Sequence, residues 1–348
     1  MDILNTTSRK RESYQVEFTY SPLWESALGI AAITNTKLLN TLEKPKSYWQ
    51  GLKESFSKEL LNELRYVEEN NTWKALLQLL HFFEGQDLTH FCNYINGLNN
   101  NKLKFICLPY IGQRFQDVRT KAANGDNEAN LNLINVTKDN PFFPQYIDFI
   151  FHVETDKLKQ HLISVMSNWF NTVVKPSLKR TIDILEVDYK SKISMVETFN
   201  SEQLVHWATG GVDYLPEPSV YKVLLIPQFI YRPWNIEADI EGTKVFYYPV
   251  SNKSLSPQDK YMPSNFMIQK YKALGDEVRL RIIKILFERE RSLQDITEIL
   301  DMGKSTVHHH LKILRASKVV EIKESKYCLK LNVLTMLEEE LMEYLKTR

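Results

Sequence analysis

The pattern that most restricts the fold of this chain lies between residues 271 and 331. Within it, one set of apolar residues recurs at the spacing of a single helix face: Leu293, Ile296, Ile299 and Leu300. Ser292 precedes this set and is a good N-cap residue, with Asp295 three positions on as a partner for amides of the first turn. The sequence therefore predicts a short amphipathic helix that begins after Ser292.

A second helix is predicted directly after the first. Met302-Gly303-Lys304 indicates a short turn, in which we expect Gly303 to take a positive backbone angle and reverse the chain. We expect Ser305 to cap the second helix, which spans Thr306 to Arg315. Two short helices joined by so tight a turn predict a helix-turn-helix, whose second helix enters the major groove of DNA.

The second helix has two distinct faces, because successive side chains point about 100° apart. Val307, Leu311 and Leu314 fall together and form the expected core seam, and His310 lies nearer the edge of that seam. Four polar residues are predicted to contact base edges or nearby phosphates: Ser305, Thr306, His308 and His309. Three basic residues are predicted to bind phosphates, which position the domain without reading sequence: Lys304, Lys312 and Arg315.

The residues after the second helix predict a β-hairpin, the wing. Two alternating segments, 319–323 and 327–331, are joined at 324–326. Five apolar residues are expected to share the buried face: Val320, Ile322, Tyr327, Leu329 and Leu331. Three lysines are expected to project to solvent beside the second helix, where backbone phosphates would lie: Lys323, Lys326 and Lys330. Lys323 and Lys326 are the predicted DNA-binding residues of the wing. From residue 302 to 330, seven basic and two acidic residues give a net charge of +5, which is typical of a DNA-binding surface.

Three motifs in this part of the chain resemble those of a known family. They are Ala273-Leu274-Gly275-Asp276, Arg279-Leu280-Arg281-Ile282-Ile283 and Ser305-Thr306-Val307-His308-His309-His310-Leu311. With them, the C-terminal part of the chain resembles the arsenic-repressor-like (ArsR) family of regulators. The resemblance implies a bacterial or archaeal-type transcription regulator, commonly a homodimer on a palindromic operator.

The chain departs from that family in two places. Many metal-sensing members carry a cysteine pair in the first helix of the motif, whereas residues 291–296 contain no cysteine, so metal sensing is not implied. Ser317 stands where a glycine is usual before the wing, which predicts a slightly strained turn.

We also predict no metal at the run His308-His309-His310, because three successive helical side chains diverge too far to close on one ion.

The chain of 348 residues is too long for one such domain, which needs under about a hundred residues. We predict a mostly helical regulatory, effector or dimerisation domain over 1–255 and a winged helix-turn-helix over 262–348, with 251–263 as a polar linker. The longest apolar run is far short of the roughly 18 residues of a membrane span. We therefore expect a cytoplasmic protein with no membrane partner.

The N-terminal domain is predicted to combine helices with a small β-sheet, so the fold class is mostly α (α+β). Residues 1–13 are interpreted as a polar arm. We expect an edge strand at 14–20 followed by a helix that starts at Ser21-Pro22, and a long helix over 155–186 broken at Pro176. Strands at 221–229 and 245–250 are expected to form a two- or three-stranded sheet, which the strand at 14–20 can join, and residues 99–101 and 123–140 are expected to be loops.

No catalytic or phosphate-cradling motif is present, so we predict no enzyme activity, no catalytic residues and no cofactor. We expect a sequence-specific regulator that binds double-stranded DNA as a homodimer, with the N-terminal domain sensing a small-molecule effector or a partner. In the family that the chain resembles, helices flanking the motif build the dimer, so the resemblance implies this role for the stripe Val333 to Leu345 and the segment Asn265 to Glu288. The alternative is that the stripe is a lone C-terminal helix. Two alternatives stay open: the winged helix docks a protein, or the N-terminal domain is an enzyme.

Overall fold

The computed structural model describes residues 13–85, 87–259 and 261–346. The interpreted arm, apart from Ser13, lies outside the described residues. The chain divides into two compact units. The first unit comprises residues 1–194 and 215–249, and the second comprises residues 195–214 and 250–348. The chain therefore enters the second unit twice, and the predicted linker 251–263 falls within that unit.

The first unit is built mainly of helices, which lie in chain order as follows: α1 (Pro22–Thr34), α2 (Thr36–Leu39), α3 (Lys46–Glu54), α4 (Lys58–Asn70), α5 (Trp73–His81), α6 (Leu88–Gly97), α7 (Asn100–Cys107), α8 (Gln116–Ala123), α9 (Asn127–Val136), α10 (Phe143–His152), α11 (Thr155–Trp169) and α12 (Leu178–Ile193). Helix α1 begins as predicted, with Pro22 in its first position and the Ser21 hydroxyl accepting the Leu23 amide at 3.2 Å. Apolar stripes of these helices meet in one continuous core.

Helix α1 is buried on every side, and all its residues from Leu23 to Thr34 are buried. A helix that is buried around its whole circumference needs neighbours on all faces. One neighbour approaches so closely that only glycine fits, because a Cβ atom on Gly29 would lie 2.7 Å from the Trp169 ring. Helix α1 is therefore the centre of the first unit.

Two segments predicted as loops are helical. Asn99 caps α7, with its side-chain oxygen accepting the Lys102 amide at 2.8 Å, and Asp126 caps α9 by accepting the Ala129 amide at 2.9 Å. The loop predictions were wrong because asparagine and aspartate favour turns and helix N-caps for the same reason: their short side chains bond nearby backbone amides.

The long helix predicted over 155–186 is broken where expected. Helix α11 passes into a π-helical turn (Phe170–Val174) and a 3-10 turn (Lys175–Ser177) before α12 begins. Pro176 has no amide hydrogen to donate, and its ring crowds the preceding turn, so the regular hydrogen-bond ladder cannot continue. The prediction of a break at Pro176 is confirmed.

The sheet of the first unit has four strands, β1 (Gln15–Phe18), β2 (Lys222–Gln228), β3 (Ile236–Ile240) and β4 (Thr243–Pro249), in the order β1-β2-β4-β3. Strand β1 is an edge strand as predicted and runs parallel to β2, β2 runs parallel to β4, and β3 is antiparallel to β4. The predicted strands at 221–229 and 245–250 are confirmed as β2 and β4, and the strand at 14–20 joins them as β1, whereas the position of β3 was not predicted. Its sequence alternates with charged residues and contains no continuous apolar run, which is typical of an edge strand.

The second unit contains α13 (Ser201–Thr209), α14 (Asn252–Leu255), α15 (Asn265–Leu274), α16 (Glu277–Glu288), α17 (Leu293–Leu300), α18 (Lys304–Ala316), β5 (Val320–Lys323), β6 (Lys326–Leu329), α19 (Leu331–Thr335) and α20 (Leu337–Lys346). Its core is formed by α15 to α19 together with the two strands. The C-terminal stripe, predicted as one helix, is divided at Met336 into α19 and α20.

Candidate nucleic-acid interface

Helix α17 begins with a complete capping box. The Ser292 hydroxyl accepts the Asp295 amide at 3.2 Å, and the Asp295 carboxylate accepts the Ser292 amide at 2.9 Å. Ile296 and Leu300 are buried, whereas Ile299, predicted to belong to the same stripe, is 48% exposed. The prediction of a helix capped at Ser292 is confirmed, and its apolar stripe is narrower than predicted.

The turn between α17 and α18 reverses at a different residue from the one predicted. Asp301 has φ 51° in the left-handed region, whereas Gly303 has φ −60° and ψ 136°. Aspartate tolerates the left-handed region better than most residues because its short side chain bonds locally. Gly303 is instead the N-cap of α18, so the predictions of a positive angle at Gly303 and of a cap at Ser305 were wrong.

Helix α18 presents the two faces that its sequence predicts. Val307, Leu311 and Leu314 are completely buried against the rest of the second unit. Seven of the predicted DNA-binding residues are exposed along the same helix: Lys304, Ser305, Thr306, His308, His309, Lys312 and Arg315. A helix buried along one seam and polar on its outer side is free to enter a groove without unfolding.

His310 is held at the edge of the core. Its Nδ1 atom lies 3.5 Å from Oδ1 of Asp276, and the His310 side chain is 14% exposed. The same carboxylate caps α16 by accepting the Arg279 amide at 3.0 Å. That backbone hydrogen bond, with the charges of Arg279 and His310, holds the pKa of Asp276 below its ordinary value. His310 thus lies beside the cap of α16 and is unlike its exposed neighbours His308 and His309.

Strands β5 and β6 form the predicted wing. The two turn residues, Glu324 and Ser325, both have positive φ values of 48° and 65°, which is typical of a two-residue turn that matches the twist of a hairpin. Val320 and Tyr327 are buried, but Ile322 is 41% and Leu331 is 50% exposed. The prediction that Ile322 and Leu331 lie on the buried face was wrong, because Ile322 lies close to the turn and Leu331 is already the first residue of α19.

A backbone bridge that the sequence did not indicate joins the wing to the start of α17. The Arg291 amide donates to the Tyr327 carbonyl at 3.1 Å, and the Tyr327 amide donates to the Arg291 carbonyl at 2.7 Å. The hairpin is therefore anchored to the helix-turn-helix near its turn. Isolated bridges of this kind leave no periodic signal in a sequence.

The two wing lysines predicted to bind phosphates are exposed, and each has a carboxylate neighbour. Nζ of Lys323 lies 2.7 Å from Glu321, and Nζ of Lys326 lies 2.9 Å from Glu290. These hydrogen-bonded carboxylates raise the pKa of both lysines. Exposed pairs of this kind are weak and exchange partners readily. Both lysines can therefore turn from a carboxylate to a phosphate at small cost.

Lys330 does not project to solvent, so that prediction was wrong. Its side chain is 7% exposed, donates from Nζ to the Gly211 carbonyl at 3.0 Å and forms an ion pair with Asp213. Both partners lie more than a hundred positions earlier in the chain, so the alternation of the hairpin carried no sign of them. The charge that the wing presents to solvent is smaller by this one lysine.

The strained turn predicted at Ser317 lies one residue later. Ser317 has φ −83°, and its buried hydroxyl donates to the Leu314 carbonyl at 2.9 Å. The left-handed conformation belongs to Lys318, with φ 62°. Non-glycine residues rarely adopt this region, so the backbone strain that was predicted at Ser317 lies at Lys318 instead.

Helices α17 and α18 pack into one core, and α18 exposes seven residues that we call the reader face: Lys304, Ser305, Thr306, His308, His309, Lys312 and Arg315. Together with the anchored two-stranded wing, they define a winged helix-turn-helix DNA-binding domain. Residues 276–321, from the cap of α16 into β5, match the family model described as bacterial regulatory protein, arsR family. The chain thus carries an arsR-family domain of DNA-binding transcription regulators. Neither the curated proteins nor the solved structures include a match to the chain.

Two further observations apply to the part of the chain that the structure describes. Within residues 13–85, 87–259 and 261–346, no helix has both the length and the apolar character needed to cross a membrane. The same residues include no group of three or more histidine, cysteine, aspartate or glutamate side chains arranged to hold a metal ion.

Proposed function

We propose that the protein is a cytoplasmic, homodimeric transcription regulator that binds a palindromic operator through two copies of α18, under the control of its first unit. The observation that carries the proposal is the outer face of α18. All seven predicted contact residues of that helix, and the wing residues Lys323 and Lys326, are exposed on a domain of a DNA-binding family.

In this proposal the contacts divide by chemistry. Ser305, Thr306, His308 and His309 lie in the first turns of α18, the part of a reader helix that meets base edges. Lys304, Lys312 and Arg315 bind the phosphates beside the groove, and Lys323 and Lys326 bind phosphates from the wing. The lysines and the arginine supply affinity, and the polar residues at the start of α18 supply sequence preference.

The dimer in this proposal uses helices that flank the reader. Leu280 and Phe287, seven positions apart on α16, are 51% and 59% exposed, and Met342 and Leu345 on α20 are 44% and 65% exposed. Apolar side chains this exposed are typical of an interface. Leu337 is already buried within the chain at 8% exposure, so it contributes to the fold of one copy and not to the dimer contact.

The first unit is the regulatory part of the proposal. It has its own core, separate from that of the DNA-binding domain, and the chain connects the two units at three points. Binding of a small molecule or a partner that favours one arrangement of the dimer would change operator affinity. In this proposal the protein acts by binding and not by catalysis.

The reader and wing assignments are tested by selecting genome fragments with the purified protein and measuring affinity for the best site against salt. His309→Ala should cost roughly 1–3 kcal/mol of discrimination against altered sites while leaving the salt slope unchanged. Lys326→Ala should lower affinity for all sequences and reduce the salt slope by about 1.

Lys179→Ala is the matched control, because it removes an exposed lysine from the first unit. It should leave both affinity and salt slope unchanged. Uniform weak binding that ignores sequence, salt and all three substitutions would contradict the proposal and would favour the winged helix as a protein-docking module.

A further inference from the structure

A short segment from the middle of the chain belongs to the second unit, which contains the winged helix-turn-helix. Residues 195–214 are flanked on both sides by the first unit, yet they pack with residues 250–348. Helix α13 lies within this segment and is followed by its C-cap, Gly210, with φ 69°. The residues that follow, from Gly211 to Asp213, lead directly to the base of the wing.

Three charged or ionisable side chains meet there. Asp213 accepts from Nδ1 of His206 at 2.6 Å on one oxygen and is paired with Lys330 through the other. Lys330 is 7% exposed, His206 is 27% exposed and Asp213 is 43% exposed. Lys330 also donates to the Gly211 carbonyl, and the Gly211 amide donates to the His206 carbonyl at 2.8 Å.

The same loop also contacts the other end of the wing. A Cβ atom on Gly211 would lie 3.3 Å from Cβ of Lys318, the residue in left-handed conformation that precedes β5. The amide of Lys330 donates to the Val319 carbonyl at 2.9 Å and closes the hairpin. The loop after α13 therefore contacts the chain both where it enters and where it leaves the wing.

The charges of this cluster depend on one another. Burial alone would raise the pKa of Asp213, but hydrogen bonds from Lys330 and His206 outweigh burial and hold that pKa below its ordinary value. A buried ammonium group is costly unless it is paired, so removal of Asp213 leaves Lys330 with one carbonyl as its remaining described partner. Lys330 would then turn outward and carry the base of the wing with it.

We propose that His206, Asp213 and Lys330 are positioning residues that hold the wing at the angle required for DNA, and that residues 195–214 connect this contact to the first unit. The proposal rests on the proposed DNA-binding function. Both ends of the segment are covalently continuous with the first unit. A conformational change in the first unit that displaces α13 would therefore move the base of the wing. DNA affinity would then change without any change in the reader face.

Asp213→Asn in the full-length chain tests this proposal, because electrostatics and positioning predict opposite results. Loss of a negative charge should raise DNA affinity if charge alone matters. Positioning predicts that operator affinity falls about tenfold, a moderate effect because Asp213 is partly exposed and its pairing is screened. It also predicts that wing amides from Glu321 to Leu329 exchange hydrogen about tenfold faster without DNA, while amides of α17 do not change.

Two further variants complete the test. Asp301→Asn removes a negative charge from an exposed residue of the same unit, and asparagine also tolerates the left-handed conformation found there. It should leave wing exchange unchanged and leave affinity unchanged or higher. The double variant Asp213→Asn/Lys330→Met contains no unpaired ammonium group and should fold even if the single variant does not, with the wing still exchanging faster than in the wild type.

The outcomes separate this proposal from the proposed function. Unchanged wing exchange in both Asp213 variants, or a gain of affinity in Asp213→Asn equal to that in Asp301→Asn, overturns the positioning role. Faster wing exchange in a chain that selects no operator supports the positioning of the wing and contradicts only the DNA-binding function.

Discussion

At the scale of single residues, the first unit contains a carboxyl group in an unusual setting. Glu25 on α1 is 4% exposed, and its two oxygens accept the Phe229 amide at 3.1 and 3.3 Å. Burial raises the pKa of Glu25 from 4.5 to about 8, and the hydrogen bonds from Phe229 and Ile230 and the charge of Lys44 lower it only in part. The carboxyl group therefore keeps its proton to a higher pH in the folded protein than in the unfolded chain.

This raised pKa makes the stability of the first unit depend on pH. The contribution of Glu25 is fully present below pH 4.5 and is lost as pH rises through about 8, because the unfolded chain ionises first. Each pKa unit corresponds to about 1.4 kcal/mol, so the free energy of unfolding of the wild type should fall by several kcal/mol relative to Glu25→Gln.

Urea unfolding of both proteins between about pH 5 and pH 9 measures this difference. Comparison of the two proteins cancels the contribution of His81, which burial also shifts, to a pKa of about 3. Glu68→Gln, at an exposed position of α4, should follow the wild-type curve. Parallel curves for wild type and Glu25→Gln would contradict the assignment.

Single residues also show what the sequence could predict. The core seam of Val307, Leu311 and Leu314 and the exposure of the reader residues follow from helical periodicity, which depends only on neighbours along the chain. The burial of Lys330 depends on Gly211 and Asp213, and no local pattern records a contact over such a separation. The sequence thus predicted the reader face and missed the support of the wing.

At the scale of elements, the helices that the sequence missed are those that begin in polar runs. The Asn99-Asn100-Asn101 run contains a cap followed by two helical residues, and composition alone does not distinguish this arrangement from a loop. Strand β3 was not predicted for a similar reason, because its alternation with charged residues suits either an edge strand or a connecting segment. Elements with apolar stripes, such as α11 and α17, were predicted because burial sets their period.

The cap of α7 gives a test with a matched control. Asn99→Ala removes the side-chain oxygen that accepts the Lys102 amide, so the free energy of unfolding should fall by about 1 kcal/mol. Asn101→Ala, at an exposed position inside the helix, should raise it by a few tenths of a kcal/mol, because alanine favours helix more than asparagine does. Urea unfolding compares the two variants. Equal effects of both substitutions would mean that the run is not the start of a helix.

At the scale of the whole molecule, the second unit, which contains the winged helix-turn-helix, is discontinuous in sequence. Residues 195–214 precede three strands of the first unit, β2, β3 and β4, before the chain returns to build the winged helix. The predicted division at residues 255–262 treats each domain as one continuous stretch, and that division stays a prediction. A sequence gives no direct sign of a helix that leaves one compact unit and packs in another, because its apolar face suits either core.

The proposed homodimer makes a prediction about the whole assembly. A stable interface buries roughly 1,200–2,000 Å² in total, so two charges placed within it should abolish association. Phe287→Glu/Leu345→Glu should give monomers by light scattering, and should lower affinity for a palindromic operator far more than affinity for one half-site. The half-site contact survives because neither residue lies on α18 or the wing.

Leu131→Glu supplies the control, because Leu131 on α9 is 65% exposed, the same fraction as Leu345, and belongs to the first unit. It should remain dimeric and bind the palindrome as the wild type does. If the Phe287→Glu/Leu345→Glu protein stays dimeric while Leu131→Glu becomes monomeric, the first unit builds the dimer. The spacing of the two reader helices would then be set by the unit proposed to sense the effector, so effector binding and dimerisation would be one equilibrium.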